Sequence, residues 1–187
     1  MQESCNNLLL TALTDYYNDN PQYKLILRDI IEAKHKLSLR LIDWFVTHYS
    51  KSNNIFYWTS KNDEIIYESC PKDIPDVQNY KRINLYLDYR AQLKSYSKIN
   101  FDSFRRHDRI TFFLDIEKEV FIETTVGQLN FFRWIFNNNV LHYAMQNYDN
   151  IYQSMVDNNS SSKLKKPKRV NNNIQEITKT LCTLRFD

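Results

Sequence analysis

Glycine is almost missing: the chain has one, Gly127, in 187 residues. Loops that cradle phosphate need several glycines, so that backbone N–H groups reach the ligand and adopt positive φ. A single glycine builds neither a P-loop nor a dinucleotide fingerprint, which argues against nucleotide-hydrolysing and Rossmann-type enzymes. Asparagine is abundant instead, with 21 copies, and is expected to stand in for glycine at positive-φ turns and helix ends. Cysteine is sparse. Cys5, Cys70 and Cys182 are odd in number and scattered, which suits reduced thiols in an intracellular compartment better than a disulfide framework. None has a close Cys or His partner at metal-binding spacing, so no cofactor is expected. Also missing is any apolar run near the roughly 18 residues of a membrane helix. The opening "MQESCNNLLLTALTDYYNDN" lacks a basic n-region and a small-residue cleavage site. The expectation is a chain that neither spans a membrane nor is secreted.

What is present is enough apolar material to fold, 42% hydrophobic and 14% aromatic, in a length suited to one domain. Residues 6 to 18 and "KLILRDIIEAKH" read as helices. "LSLRLIDWFVTHYS" spaces Leu41, Ile42, Phe45, Val46 and Tyr49 as one helical stripe. "NIFYWT" and "EIIYES" are β-prone and flank the turn-rich "SKND", the pattern of a hairpin. After "CPKDIPD", "RINLYLDY" alternates as a strand with Ile83, Leu85 and Leu87 inward, and "YRAQLKSYSK" switches to helical period. There Tyr89, Leu93 and Tyr96 share one face while Arg90, Lys94 and Lys98 line another at i, i+4 and i+8. "RITFFLDIEKEVFIET" reads as a second hairpin with strands near 109 to 114 and 119 to 123. Thr124 or Thr125 then caps a helix bearing Val126, Leu129, Phe132 and Phe136, with Phe131, Trp134 and Ile135 widening its apolar surface. Asn137 to Asn139 stop it, and a second helix follows from about Val140 to Val156. That second helix carries no lysine or arginine, which favours a structural helical hairpin over a helix-turn-helix reader of DNA.

The fold class expected is therefore α+β: two β-hairpins plus an extra strand packed with about four helices, the last of them a helical hairpin. Residues 1–157 would form the domain, 158–173 a basic flexible linker, and 174–187, ending in "TLCTLRFD", an edge strand docking back.

Charge is uneven. From Asn158 to Asp187 there are seven basic residues against two acidic, so that the rest of the chain is slightly acidic. Lys163, Lys165, Lys166, Lys168 and Arg169 crowd into seven positions, a cluster that fits nucleic-acid contact, nuclear import or plain solubility. A second excess lies between Lys81 and Arg109, with eight basic residues against three acidic. It includes "FDSFRRHDR", hence Arg105, Arg106, His107 and Arg109. Interleaved Tyr89, Tyr96, Phe101 and Phe104 either stack on bases or anchor the segment to the core.

Signals for catalysis are weak. His107 and Asp108 are adjacent, as in metal phosphohydrolases, but lack further ligands at suitable spacing. His35, His48 and His142 stand apart. Asp115, Glu117, Glu119 and Glu123 alternate along a hairpin and could share a face with a divalent cation, although solvated carboxylates are the commoner outcome. No serine or cysteine has a nucleophile context.

The words "LRLIDWFVTHYSKSNN", "YRAQLKSYSKINFDSFRRHDRITF" and "IETTVGQLNFFRW", with the ending "KKPKR…TLRFD", resemble a family of uncharacterised proteins of nucleocytoplasmic large DNA viruses, the giant viruses. The resemblance covers roughly residues 37 to 187. It implies a viral protein inside the infected cell, in the virus factory, nucleus or virion, with a part in genome handling, late expression or particle structure; it supplies no catalytic residues. Taken together, the sequence supports a non-enzymatic protein that binds nucleic acid, DNA foremost, through Arg90, Lys94, Lys98, Arg105, Arg106, His107 and Arg109 with help from the tail. The competing expectation is an assembly component that docks on another viral protein.

Overall fold

The computed structural model describes residues 2–60, 66–68, 80–115 and 117–164. The architecture is α+β, with seven helices among the described residues rather than about four. Helices α1 (Gln2–Asp19) and α2 (Pro21–Ile31) form a pair. Asn20 and Pro21 separate them, because proline is tolerated only at a helix start. Next, α3 runs from Leu39–Trp44 through a π-helical turn, Phe45–Tyr49, to Ser50–Ser52. Ser38 caps it by accepting from the Leu41 N–H at 3.2 Å. The expected stripe is there, with Leu41, Ile42, Phe45 and Val46 buried.

Strand β1 (Phe56–Ser60) pairs antiparallel with β2 (Ile66–Tyr67), as the first hairpin was expected to, and on its other side with β3 (Tyr80–Asn84). The sheet order is β2-β1-β3. The strand expected across "RINLYLDY" ends early. The Asn84 side chain accepts from the Leu87 N–H at 3.2 Å and starts α4 (Leu85–Asn100). The side-chain period changes from 2 to 3.6 at that cap, so Ile83 and Leu85 point inward as expected but Leu87 swings out and is 63% exposed.

The second hairpin is also present, as β4 (Arg109–Asp115) and β5 (Val120–Thr125). Thr125 then accepts from the Gln128 N–H at 3.1 Å and caps α5 (Val126–Asn137). This helix is buried nearly all round, through Leu129, Phe131, Phe132, Trp134, Ile135 and Phe136. Around it the aromatics pack in offset and edge-on pairs: Tyr23 stacks on Phe136 at 4.3 Å, and Tyr17 meets Phe112 edge-on at 5.6 Å. The Tyr17 hydroxyl donates to Leu129 O at 2.9 Å, and Tyr57 donates to Asn138 O at 2.7 Å. Burial pushes both phenols well above their ordinary range, so each keeps the proton that it donates.

Asn138 and the left-handed Asn139, with φ +51°, turn the chain into α6 (Val140–Gln146), as the asparagine run implied. Asn147 interrupts the second helix, and α7 (Tyr148–Leu164) continues it. The linker expected from Asn158 is therefore helical to Leu164, because nothing before Pro167 breaks a helix and Ser160 bonds back to Val156 O at 3.0 Å. The rest of the linker and the C-terminal strand lie outside the described residues. Among the described residues, no helix is long and apolar enough to cross a membrane.

Among the described residues, asparagine replaces glycine less often than expected: of six with positive φ, only Asn54 and Asn139 are asparagines, the others being Ala33, Ser97, Asp108 and Glu119. Gly127 itself serves close approach, not turning: a Cβ there would sit 2.9 Å from Ile99 O and 3.4 Å from Asp102 N. The segment leaving α4 lies directly on the first turn of α5, with Gln128 donating to Ser103 O and Asn130 to Asn100 O, both at 2.8 Å.

Candidate nucleic-acid interface

The basic segment between Lys81 and Arg109 divides into two regions. Helix α4 carries the first. Arg90 and Lys94 are exposed on one line of the helix, one and two turns beyond Tyr86. Lys98 does not continue that line, because Ser97 breaks the helix with φ +59° and ψ 167°. It sits instead near Asp43, whose carboxyl accepts from Ser103 Oγ at 2.7 Å. Tyr89, Leu93 and Tyr96 pack on the core as expected, and Phe101 is buried among Tyr89, Phe131 and Trp134. Those rings are structural.

Two cations outside the expected set join the α4 region. Lys51 Nζ lies 5.7 Å from the Tyr86 ring centre, and the Arg82 guanidinium lies 4.7 Å over Phe56. A hydrogen bond from Arg90, aided by Lys51, holds the exposed Tyr86 hydroxyl below the usual phenol range. No described carboxylate pairs with Lys51, Arg82, Arg90 or Lys94. The one acid on α4, Asp88, is turned away and accepts from the Trp134 indole N–H at 2.7 Å.

The second region is the β4–β5 hairpin. Arg105, Arg106 and Arg109 line a cleft of roughly 480 Å³ together with Phe104 and Phe121. Glu32 and Glu123 line it too. Arg105 bonds to Asp108, and Arg109 to Glu123 at 2.9 Å; Arg106 is exposed and has no described carboxylate partner. His107 is exposed in the turn between them. The structure thus gathers Arg105, Arg106 and Arg109 in one place and Arg90 with Lys94 in another. Lys163 falls on α7, while Lys165, Lys166, Lys168 and Arg169 lie outside the described residues.

The hairpin carboxylates do not converge. Asp115 pairs with Lys118, which holds it below the usual carboxylate range, Glu123 pairs with Arg109, and Glu119 occupies a positive-φ turn. Among the described residues, no group of three or more His, Cys, Asp or Glu is placed to hold a metal ion. His48 stacks on Trp44 at 4.5 Å, and His35 accepts from the Leu37 N–H.

Exposed aromatics were missed by the sequence. Phe113 and Phe121 pair across the hairpin, their ring centres 6.1 Å apart, and are 47% and 53% exposed. Phe56 is 39% exposed beside Arg82. The only available signal was strand alternation, which cannot say which face the helices cover.

A family model described as a family of unknown function (DUF7197) matches residues 2–183. The chain belongs to DUF7197. It is similar to "Uncharacterized protein L507" of Acanthamoeba polyphaga mimivirus, with 31% identity over 169 residues, covering 89% of this chain. The chain spans 58% of that relative's length. No solved structure matches it. The expected likeness to uncharacterised giant-virus proteins holds at that level for this DUF7197 chain.

Proposed function

We propose that this chain is a non-enzymatic viral protein that binds nucleic acid with little sequence preference, in genome handling or late expression. The observation that supports it is the α4 region: Lys51, Arg82, Arg90 and Lys94 are exposed, carry no described carboxylate partner, and stand beside the Phe56 and Tyr86 rings. Cations left unneutralised by the fold are the ones able to release counterions from a phosphate backbone. Arg105 and Arg109 are already engaged, so they contribute less. The second helix of the helical hairpin, α6, contains no lysine or arginine, which fits contact without base readout by that hairpin. The test is a titration of labelled oligonucleotide at rising salt. Affinity is expected to fall steeply with salt and to weaken when Arg90 and Lys94 become Glu; a flat salt dependence would refute the reading.

One observation favours a second reading, docking on another viral protein. Phe113 and Phe121 on the hairpin, and Phe104 in the cleft beside it, are exposed among arginines of which Arg105 and Arg109 are paired with carboxylates. An apolar patch with paired charges at its rim is the composition of a protein interface. Replacing Phe113 and Phe121 by Ser would then release a partner whose binding salt does not disturb.

A further inference from the structure

We infer that the nucleic acid bound by this chain is single-stranded, its unpaired bases lying on the outer face of the three-stranded sheet against Phe56, Trp58 and Tyr67. The inference rests on the nucleic-acid reading above and specifies the kind of strand.

Register places these rings together. Trp58 is paired with Tyr67 on β2 and with Arg82 on β3, and Phe56, two residues earlier on β1, is paired with Asn84. Paired and alternate positions share a face, so Phe56, Trp58, Tyr67 and Arg82 project to one side. The neighbours between them, Tyr57 and Ile83, project to the other and are buried in the core, at 0% and 3% exposure. None of the three rings packs on that core. Tyr80 meets Tyr67 edge-on at 5.6 Å and steadies it from the third strand. The result is an aromatic grid, with Phe56 exposed and Trp58 and Tyr67 half-buried, and with spacings of about 5 Å between strands and about 7 Å along them. A guanidinium rests on its exposed corner, at Phe56.

The cations adjoin this face. Leu85 N donates to Ile55 O at 3.1 Å and Asn84 Nδ2 to Asn54 Oδ1 at 3.3 Å, so α4 departs from the sheet beside Phe56. Tyr86 lies in the first turn of α4, with Lys51 and Arg90 beside it, and Lys94 follows one turn after Arg90. A flat aromatic surface bordered by a line of cations is the arrangement that holds unpaired bases by stacking and the backbone by charge. A duplex keeps its bases inside and would use the cations alone, leaving the rings without work. The sheet face is what decides between the two.

The experiment uses the full chain and two fluorescein-labelled probes, an oligothymidine of ~15 nucleotides and a duplex of equal length, read by anisotropy at about 0.1 M salt. The single strand is expected to bind about tenfold tighter or more than the duplex. Phe56→Ala should weaken the single strand about 5- to 100-fold and leave the duplex unchanged; because Phe56 is exposed, the variant keeps its fold, which its melting curve checks. Trp58→Phe should retain most of the affinity, and Leu25→Ala, on an unrelated exposed face, all of it. Duplex binding equal to or tighter than single-strand binding, or an unchanged affinity in Phe56→Ala, overturns this inference while leaving the nucleic-acid reading in place. Absence of binding to both probes removes the two together.

Discussion

The α4 region and the β4–β5 hairpin draw on the same basic stretch of sequence and both expose aromatic rings, yet they are electrostatically unlike. On the hairpin, antiparallel pairing sets Glu123 opposite Thr111, diagonally across from Arg109, and the two form an ion pair. On α4, the helical period gathers Tyr86, Arg90 and Lys94 on one line and sends the helix's one acid, Asp88, to Trp134. A count of charges along the chain cannot see this difference. What separates a cation available to a ligand from one already satisfied is the period of the element that carries it.

The sharpest way to break the comparison is to reverse charge in each region separately. Arg90→Glu with Lys94→Glu is expected to weaken oligonucleotide binding about 50-fold near 0.1 M salt, whereas Arg105→Glu with Arg109→Glu should cost less than about threefold. With four contacts the single-strand salt slope should lie near −3, and removing two should bring it to about −1.4. Anisotropy titrations decide, and a larger loss at the hairpin would invert the assignment.

Gly127 tests whether the regions are mechanically one. A methyl there must displace Ile99 O, so Gly127→Ala should destabilise by about 1–3 kcal/mol, despite alanine's better helix propensity. Urea unfolding should still show a single transition; two transitions would mean that the regions fold apart.

Asp43 offers a smaller effect with a definite sign. Burial raises its pKa, against the opposing pull of Ser103, while Asp102 raises it further and His48 and Lys98 lower it. A raised folded-state pKa means that the contribution is present at pH below the unfolded value, about 3.9, and is lost as pH rises through the folded value. Asp43→Asn keeps an acceptor for Ser103 and should flatten the stability profile across that acidic window, in melting curves taken at several pH values. Smallest of all, Glu123→Gln should cost under about 1 kcal/mol, since both partners of its ion pair are more than half exposed. A cost of several kcal/mol would show that the pairing holds the hairpin together.

Much of the fold was legible in the sequence because local signals agreed with tertiary need. Thr125 caps α5, the asparagine run ends it, and the aromatic stripe faces inward, each for the reason its pattern gave. The misses have specific causes. Asn84 looks like one more polar residue in an alternating strand, and only its capping bond to Leu87 marks the change of element. Ser97 carries no sequence signal of a break, yet its backbone leaves the helix and detaches Lys98, just before the segment that packs on Gly127. In "ITFFLD" the adjacent Phe112 and Phe113 must face opposite ways, and composition could not tell that Phe112 is the buried one. Lys51 was overlooked because it is distant from α4 along the chain but not in space, and Arg82, although within the basic stretch, because it sits on β3 and not on the helical line of Arg90 and Lys94.

The π-helical turn at Phe45–Tyr49 has a bearing on how related chains should be compared. Ser50 N–H reaches back five residues to Phe45 O, so this turn holds one residue more than an α-helix of the same rise. A relative could drop a residue there and still keep Leu41 and Lys51 where they are. Alignments that place a one-residue gap inside 45–49 would therefore preserve the ancestry of both ends, whereas a gap elsewhere in α3 would misassign them.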